Sequence, residues 1–235
     1  MTTREPTWLV QFVRRHAGQI VIGGILVGMV SGAMVVLMPY LLEQRIARKI
    51  ESIGGKVLYK DLGPNWNSKN VRFRMPFWDR VYCIYNLRGR TLPVDFISEI
   101  GSLESLERLD LSHTRVTDTH IEKLTGSASL QWLNLGKTRI TDSGLRYLTR
   151  LKSLRQLYLR ETDTSDVGLE HLSELIELNE LYLSKTNVTD KGLEDLKPLT
   201  HLRVLYVDST RVTAEGEAML RATRPKCELR SPFGI

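Results

Sequence analysis

The chain has 235 residues, 42% hydrophobic and 26% charged, which excludes a wholly disordered or collagen-like protein. Two cysteines in this length exclude a disulfide scaffold. The formal charge of +6 is unevenly placed: residues 1–80 hold 12 Lys/Arg against 5 Asp/Glu, whereas residues 81–235 hold 21 against 22, and so near-neutral a remainder offers no basis for nucleic-acid binding.

Residues 1–19 form a basic tail containing Arg4, Arg14 and Arg15. From Ile20 to Leu42 the chain then runs 23 residues without a charge, and 12 of them are Ile, Leu or Val. As a helix this segment spans about 34 Å at ~1.5 Å per residue, against a hydrocarbon core of about 30 Å. Residues 20–42 therefore read as one transmembrane helix contacting the lipid bilayer. A cleaved signal peptide ending near Ser31-Gly32-Ala33 is a rival, but the apolar run continues through Val35, Val36, Leu37 and Met38. A buried soluble helix would be shorter and amphipathic. Gly24, Gly28 and Gly32 recur every four residues, and such a stripe of bare backbone suits close helix–helix approach and self-association into a homo-oligomer. Basic residues flank both ends, and the short arginine-bearing tail favours a cytoplasmic N-terminus with the rest of the chain extracytoplasmic.

Residues 43–80 are basic, with 9 Lys/Arg against 4 Asp/Glu. Ile46, Ile50 and Ile53 fall at helical spacing, Gly54-Gly55 stops the helix, and Val57-Leu58-Tyr59 follows as a short strand. Two readings of the apolar face stand side by side: it lies on lipid, or it packs on the next domain as an N-terminal cap. Trp66, Phe77 and Trp78 read as cap or interface material.

Residues 81–224 repeat with a period of 24. Leu106, Leu109 and Leu111 are followed in register by Leu130, Leu133 and Leu135, and the pattern continues to Leu202, Leu205 and Val207. Thr114, Thr138, Thr162, Thr186 and Thr210 share a second register, and Gly144, Gly168, Gly192 and Gly216 a third. A less regular unit comes first, in which Tyr82, Tyr85 and Leu87 occupy the leucine columns. Residues 225–235 close the array as a C-terminal cap, with Leu229 one period beyond Leu205. Each unit predicts a short strand with its leucines inward, a turn at the threonine, and a helix opened by Thr-Asp, where Asp suits the positive end of the helix dipole. One unit cannot bury its leucines alone, so neighbours stack into a solenoid with strands on the concave side.

These L-x-x-L-x-L and V-T-D-x-G-L columns resemble the leucine-rich repeat family, in its ribonuclease-inhibitor-like and F-box-associated subtype. The arrangement also looks like membrane-anchored bacterial leucine-rich repeat proteins. The resemblance implies an α/β leucine-rich repeat solenoid with a parallel concave sheet, here preceded by a transmembrane helix, and a surface that binds a protein partner. Thr replaces the family's usual Asn or Cys column, and no F-box precedes the repeats.

Strand side chains alternate, so residues beside the inward leucines line the concave face. The column between the leucines reads Asn86, Asp110, Asn134, Tyr158, Tyr182 and Tyr206, and the one before it Ile84, Arg108, Trp132, Gln156, Glu180 and Val204. Trp132, Tyr158, Tyr182 and Tyr206, with Arg160 and Glu180, form the candidate partner-binding patch, because such aromatics join large apolar area to a hydrogen-bonding tip. A purely structural tyrosine ladder is the competing reading. His113, His120, His171 and His201 fall in different columns, and Cys83 and Cys227 at opposite ends, so no metal, cofactor or catalytic constellation is expected. The aspartates at 118, 142, 166 and 190 read as helix-start residues. The expected function is a single-pass membrane-anchored protein-interaction module, not an enzyme. A self-associating membrane scaffold and a ubiquitin-ligase-type substrate adaptor are the alternatives.

Overall fold

The computed structural model describes residues 23–61, 79–124 and 126–230. The chain divides into two compact units, residues 1–42 and 43–235. Helix α1 runs from Gly23 to Ser52 with Pro39 inside it. Within the first unit, the side chains of Met38, Leu41 and Leu42 are exposed. Among the described residues no helix is long and apolar enough to cross a membrane. The predicted span at 20–42 has no counterpart there; residues 20–22 and the side chains through Leu37, the glycine column's surroundings included, lie outside the described part. Trp66, Phe77 and Trp78 also lie outside it.

In the second unit the last turns of α1 form a cap. Ile46, Ala47 and Ile50 are fully buried in the repeat core, and Ile53 packs against it, so here the apolar face covers protein. Lys49, on the flank of that face, reaches the next element: its Nζ lies 3.0 Å from Glu99 and 4.2 Å from the Phe96 ring centre. The helix stops at Gly54, which takes a left-handed φ of +83°. Strand β1 (Lys56–Asp61) pairs antiparallel with β2 (Asp79–Tyr85).

From β2 onward every pairing is parallel, through β3 (Arg108–Asp110), β4 (Trp132–Asn134), β5 (Gln156–Tyr158), β6 (Glu180–Tyr182), β7 (Val204–Tyr206) and β8 (Glu228–Arg230), in one eight-stranded sheet of sequential order. Helices α2 (Val94–Gly101), α3 (Asp118–Leu124), α4 (Asp142–Leu148), α5 (Asp166–Leu172), α6 (Asp190–Asp195) and α7 (Ala214–Thr223) alternate with the strands. The register from β3 to β8 follows the 24-residue period: Leu109, Leu133, Leu157, Leu181, Leu205 and Leu229 pair in turn. Those leucines join one continuous apolar core reaching from Ile46 to Leu229.

The first unit departs from the predicted register. Ile84, not Tyr85, pairs with Leu109 and is fully buried, so it does not line the concave face. Asn86 adds a left-handed residue (φ 65°) between Ile84 and Leu87, making three steps where later units make two. Its Nδ2 donates to the Gly54 carbonyl at 2.9 Å, which ties the extra residue to the cap.

The turns explain the threonine column. Each of Thr114, Thr138, Thr162 and Thr186 is buried and donates its hydroxyl to the leucine carbonyl three residues back, at 2.6 Å. The residue before each threonine is left-handed without being glycine: His113, Lys137, Glu161, Lys185 and Ser209 have φ of 56–59°. Such a conformation costs about 1–2 kcal/mol per residue. The turned backbone lets the N–H groups of His113, Lys137, Glu161 and Lys185 reach the next unit's carbonyl at 2.8–3.0 Å, which offsets part of that cost.

The aspartate column does more than face its own helix dipole. Asp118, Asp142, Asp166 and Asp190 each accept, through Oδ1, the backbone N–H of the next unit's helix cap (Thr141, Ser165, Thr189 and Thr213) at 2.7–2.9 Å. Each Oδ2 accepts the same residue's hydroxyl at 2.5–2.7 Å. The aspartates are therefore latches between repeats.

The inward helix column reads Ile121, Leu145, Leu169, Leu193 and then Glu217, which is only 4% exposed. Its Oε1 has no hydrogen-bond partner among the described residues, and its other oxygen lies 3.8 Å from Arg221. A buried carboxylate so poorly satisfied is costly. Glu217→Leu should raise stability by about 1–3 kcal/mol, read as a higher Tm of the full chain; an unchanged or lower Tm would contradict the assigned cost.

Candidate functional site: the concave face

Parallel pairing places Asn134, Tyr158, Tyr182 and Tyr206 in one row and Trp132, Gln156, Glu180 and Val204 in the adjacent row. Their strand neighbours point into the core, so both rows are held on the open side of the sheet. Tyr158 and Tyr182 stack with ring centres 4.0 Å apart and planes 11° apart, and Tyr182 and Tyr206 at 4.5 Å and 14°. Trp132 continues the series, tilted 48° from Tyr158 at 5.2 Å. Arg108 caps it, with Cζ 4.8 Å from the indole centre, a cation–π contact.

Because the rings stack along the sheet, they offer edges and hydroxyls to a visitor, not faces. All four aromatic residues are half-buried. Tyr182 donates from Oη to Glu180 Oε2 at 2.9 Å, and Gln156 donates from Nε2 to Glu180 Oε1 at 2.7 Å. Burial, the hydrogen bond with Tyr158 and the Glu180 carboxylate hold the Tyr182 phenol far above its usual range, so it stays a donor.

The structure thus gathers Trp132, Tyr158, Glu180, Tyr182 and Tyr206. Arg160 belongs to a different group, the rim formed by the left-handed column. Its Nε lies 3.2 Å from Glu161, which Lys185 (3.3 Å) and Lys137 (3.5 Å) also approach. Sequence reasoning passed over Arg155. It faces a hollow of about 250 Å³ beside Trp132 that Arg108, Gln156 and Glu180 also line. The residue just after each unit's first leucine was left out of the columns considered, though its position next to the strand could have flagged it.

The four histidines among the described residues stay apart. His120 accepts the Thr117 N–H through Nδ1 at 3.2 Å and meets the Leu92 carbonyl through Nε2 at 2.9 Å, while His201 meets the Ile176 carbonyl at 3.0 Å. His113 stands in the left-handed column and His171 on α5. Burial raises the thiol pKa of both Cys83 and Cys227.

Residues 104–164 match a family model described as leucine rich repeat, and residues 178–197 match a second model of the same description. Among solved structures the chain is similar to an internalin (inlF) from Listeria monocytogenes, at 21% identity and TM-score 0.46, over 59% of this chain and 44% of that one. It is also similar to an internalin C2 from the same organism, at 27% identity and TM-score 0.45, over 52% of this chain and 51% of that one. The matched part spans about half the length of those chains. No curated protein matches the sequence. Both matched stretches lie within the strand–helix units that stack along the parallel sheet.

Proposed function

We propose that this chain is a single-pass membrane-anchored module whose concave leucine-rich repeat face captures a protein partner. The observation that carries the reading is the stacked row Tyr158–Tyr182–Tyr206, ending on Trp132, on the open face of a rigid sheet. Stacking fixes the rings before a partner arrives, so little side-chain freedom remains to be lost on binding. The uncharged run at 20–42 supports the anchor, and the short tail bearing Arg14 and Arg15 supports an extracytoplasmic repeat domain. The repeat period supports the ribonuclease-inhibitor-like subtype. The role is binding, not catalysis. Self-association through Gly24, Gly28 and Gly32 is a second reading, carried by their four-residue spacing.

The test is partner capture by crosslinking to the full chain in cells. Tyr158→Ala combined with Tyr182→Ala should reduce capture at least ~10-fold, since a hot-spot aromatic is worth about 2 kcal/mol or more. Stability should fall by no more than about 4–5 kcal/mol, the scale of the three aromatic pairs that the two residues make. Undiminished capture by a folded variant would overturn the proposal.

A further inference from the structure

We infer that the partner presents an acidic protein segment to the concave face, received by Arg108, Arg155 and Arg203; this deepens the binding reading above and rests on it. The argument lies in which charges the face has already used. Glu107 receives Lys60 Nζ at 2.8 Å. Asp110 accepts its own Ser112 N–H at 2.9 Å, and Asp208 accepts the Ser184 hydroxyl at 3.2 Å. Glu180 is held on both oxygens, by Gln156 and by Tyr182. Each of these carboxylates is engaged within the protein.

The guanidinium groups meet none of these carboxylates in an ion pair: Arg108, Arg155 and Arg203 are exposed, and none is among the ion-paired groups of the described residues. They come from, or immediately precede, β3, β5 and β7, so at ~4.8 Å per strand they recur about every 10 Å across the sheet. Arg108 is held by the Trp132 ring and by a hydrogen bond with the Cys83 side chain, so its charge stands at a fixed place with no carboxylate partner. Arg155 stands at the 250 Å³ hollow together with the Gln131 and Asn179 side chains. Such planar forks match carboxylates.

The tyrosines add to the same preference. Rings stacked face to face present their electropositive edges outward, while the Tyr182 hydroxyl is already committed to Glu180. The surface therefore carries guanidinium charge without carboxylate partners and positive ring edges, while each carboxylate named above has a partner within the protein, and a run of Asp and Glu side chains is the complementary chemistry.

Fluorescein-labelled deca-glutamate, titrated into the detergent-solubilised full chain at low salt, tests this directly. It should bind, deca-lysine should not, and affinity should fall as salt rises through screening. Arg155→Glu with Arg203→Glu should weaken deca-glutamate binding at least ~10-fold. Arg211→Glu, an exposed arginine outside the strands of the sheet, in a bridge to Thr189, should leave it unchanged. Absence of deca-glutamate binding, or equal weakening by Arg211→Glu, overturns the inference. So does binding of inorganic phosphate or a single-stranded oligonucleotide through Arg155 with no binding of deca-glutamate. The two proposals separate cleanly. Partner capture that survives the arginine reversals but is lost with the tyrosines removes the acidic partner and keeps the binding face; capture that survives loss of the tyrosines removes the face itself.

Discussion

Gly168→Ala should destabilise the repeat domain by about 2–5 kcal/mol, although alanine is the better helix former. Propensity alone favours the substitution by up to about 1 kcal/mol, so the sign of the effect is itself diagnostic. A Cβ at Gly168 would stand 2.4 Å from Asp142 Oδ1 and 2.7 Å from Leu145 Cδ1. The leucine methyl can turn aside. The carboxylate cannot, because it holds the Ser165 N–H at 2.7 Å and the Ser165 hydroxyl at 2.5 Å. Overpacking costs about 1–3 kcal/mol, and displacing a charged acceptor from its partners about 1.5–3 kcal/mol more. Urea unfolding of the full chain followed by circular dichroism measures the loss. In an Asp142→Ala background the same methyl group should cost much less, because the atom it strikes has gone. A neutral or stabilising Gly168→Ala in the native background would refute the account. The same clearance, 2.0–2.4 Å, recurs at Gly144, Gly192 and Gly216, each against the aspartate of the preceding unit.

Glu43→Ala should be comparably severe, about 3–5 kcal/mol, and its effect should concentrate in the cap. Glu43 is 2% exposed. One oxygen takes Arg80 Nε at 2.6 Å and the other the Val81 backbone N–H at 2.9 Å. Removing it strands a largely buried guanidinium, whose only other carboxylate among the described residues is Glu104 at 4.0 Å. It also leaves an amide unpaired at the point where β2 enters the sheet. Hydrogen exchange should show β2 and the last turns of α1 losing protection while β5 and β6 keep theirs. Glu43→Gln retains an acceptor for Val81 and should cost less than alanine. Uniform loss of protection across the sheet, or none, would show that this ion pair does not fasten the cap.

The period-24 leucines were enough to define the strands, their order and the shared core, since each column repeats a local pattern. What escaped was whatever depends on a neighbouring unit. The aspartates read locally as helix-start residues, yet their partners lie 23 residues ahead, a distance no local rule reaches. The glycine column was visible, but its cause, an oxygen of the preceding unit, was not. In the first unit the residue opposite Leu109 is Ile84 and not Tyr85, while Leu87 keeps its core place, because Asn86 lengthens the chain without breaking its apolar rhythm. The tyrosine row was legible from alternation, whereas ring direction was not. Spacing could not tell faces from edges, nor send Arg160 to the Glu161 rim.

The aspartate latches all point the same way, each unit gripping the one that follows. Excising a whole 24-residue module would join Thr141 to Asp166 and leave every surviving grip with an equivalent mate. The geometry is thus indifferent to how many modules there are, and evolution could lengthen or shorten the stack by whole links without reinventing any joint.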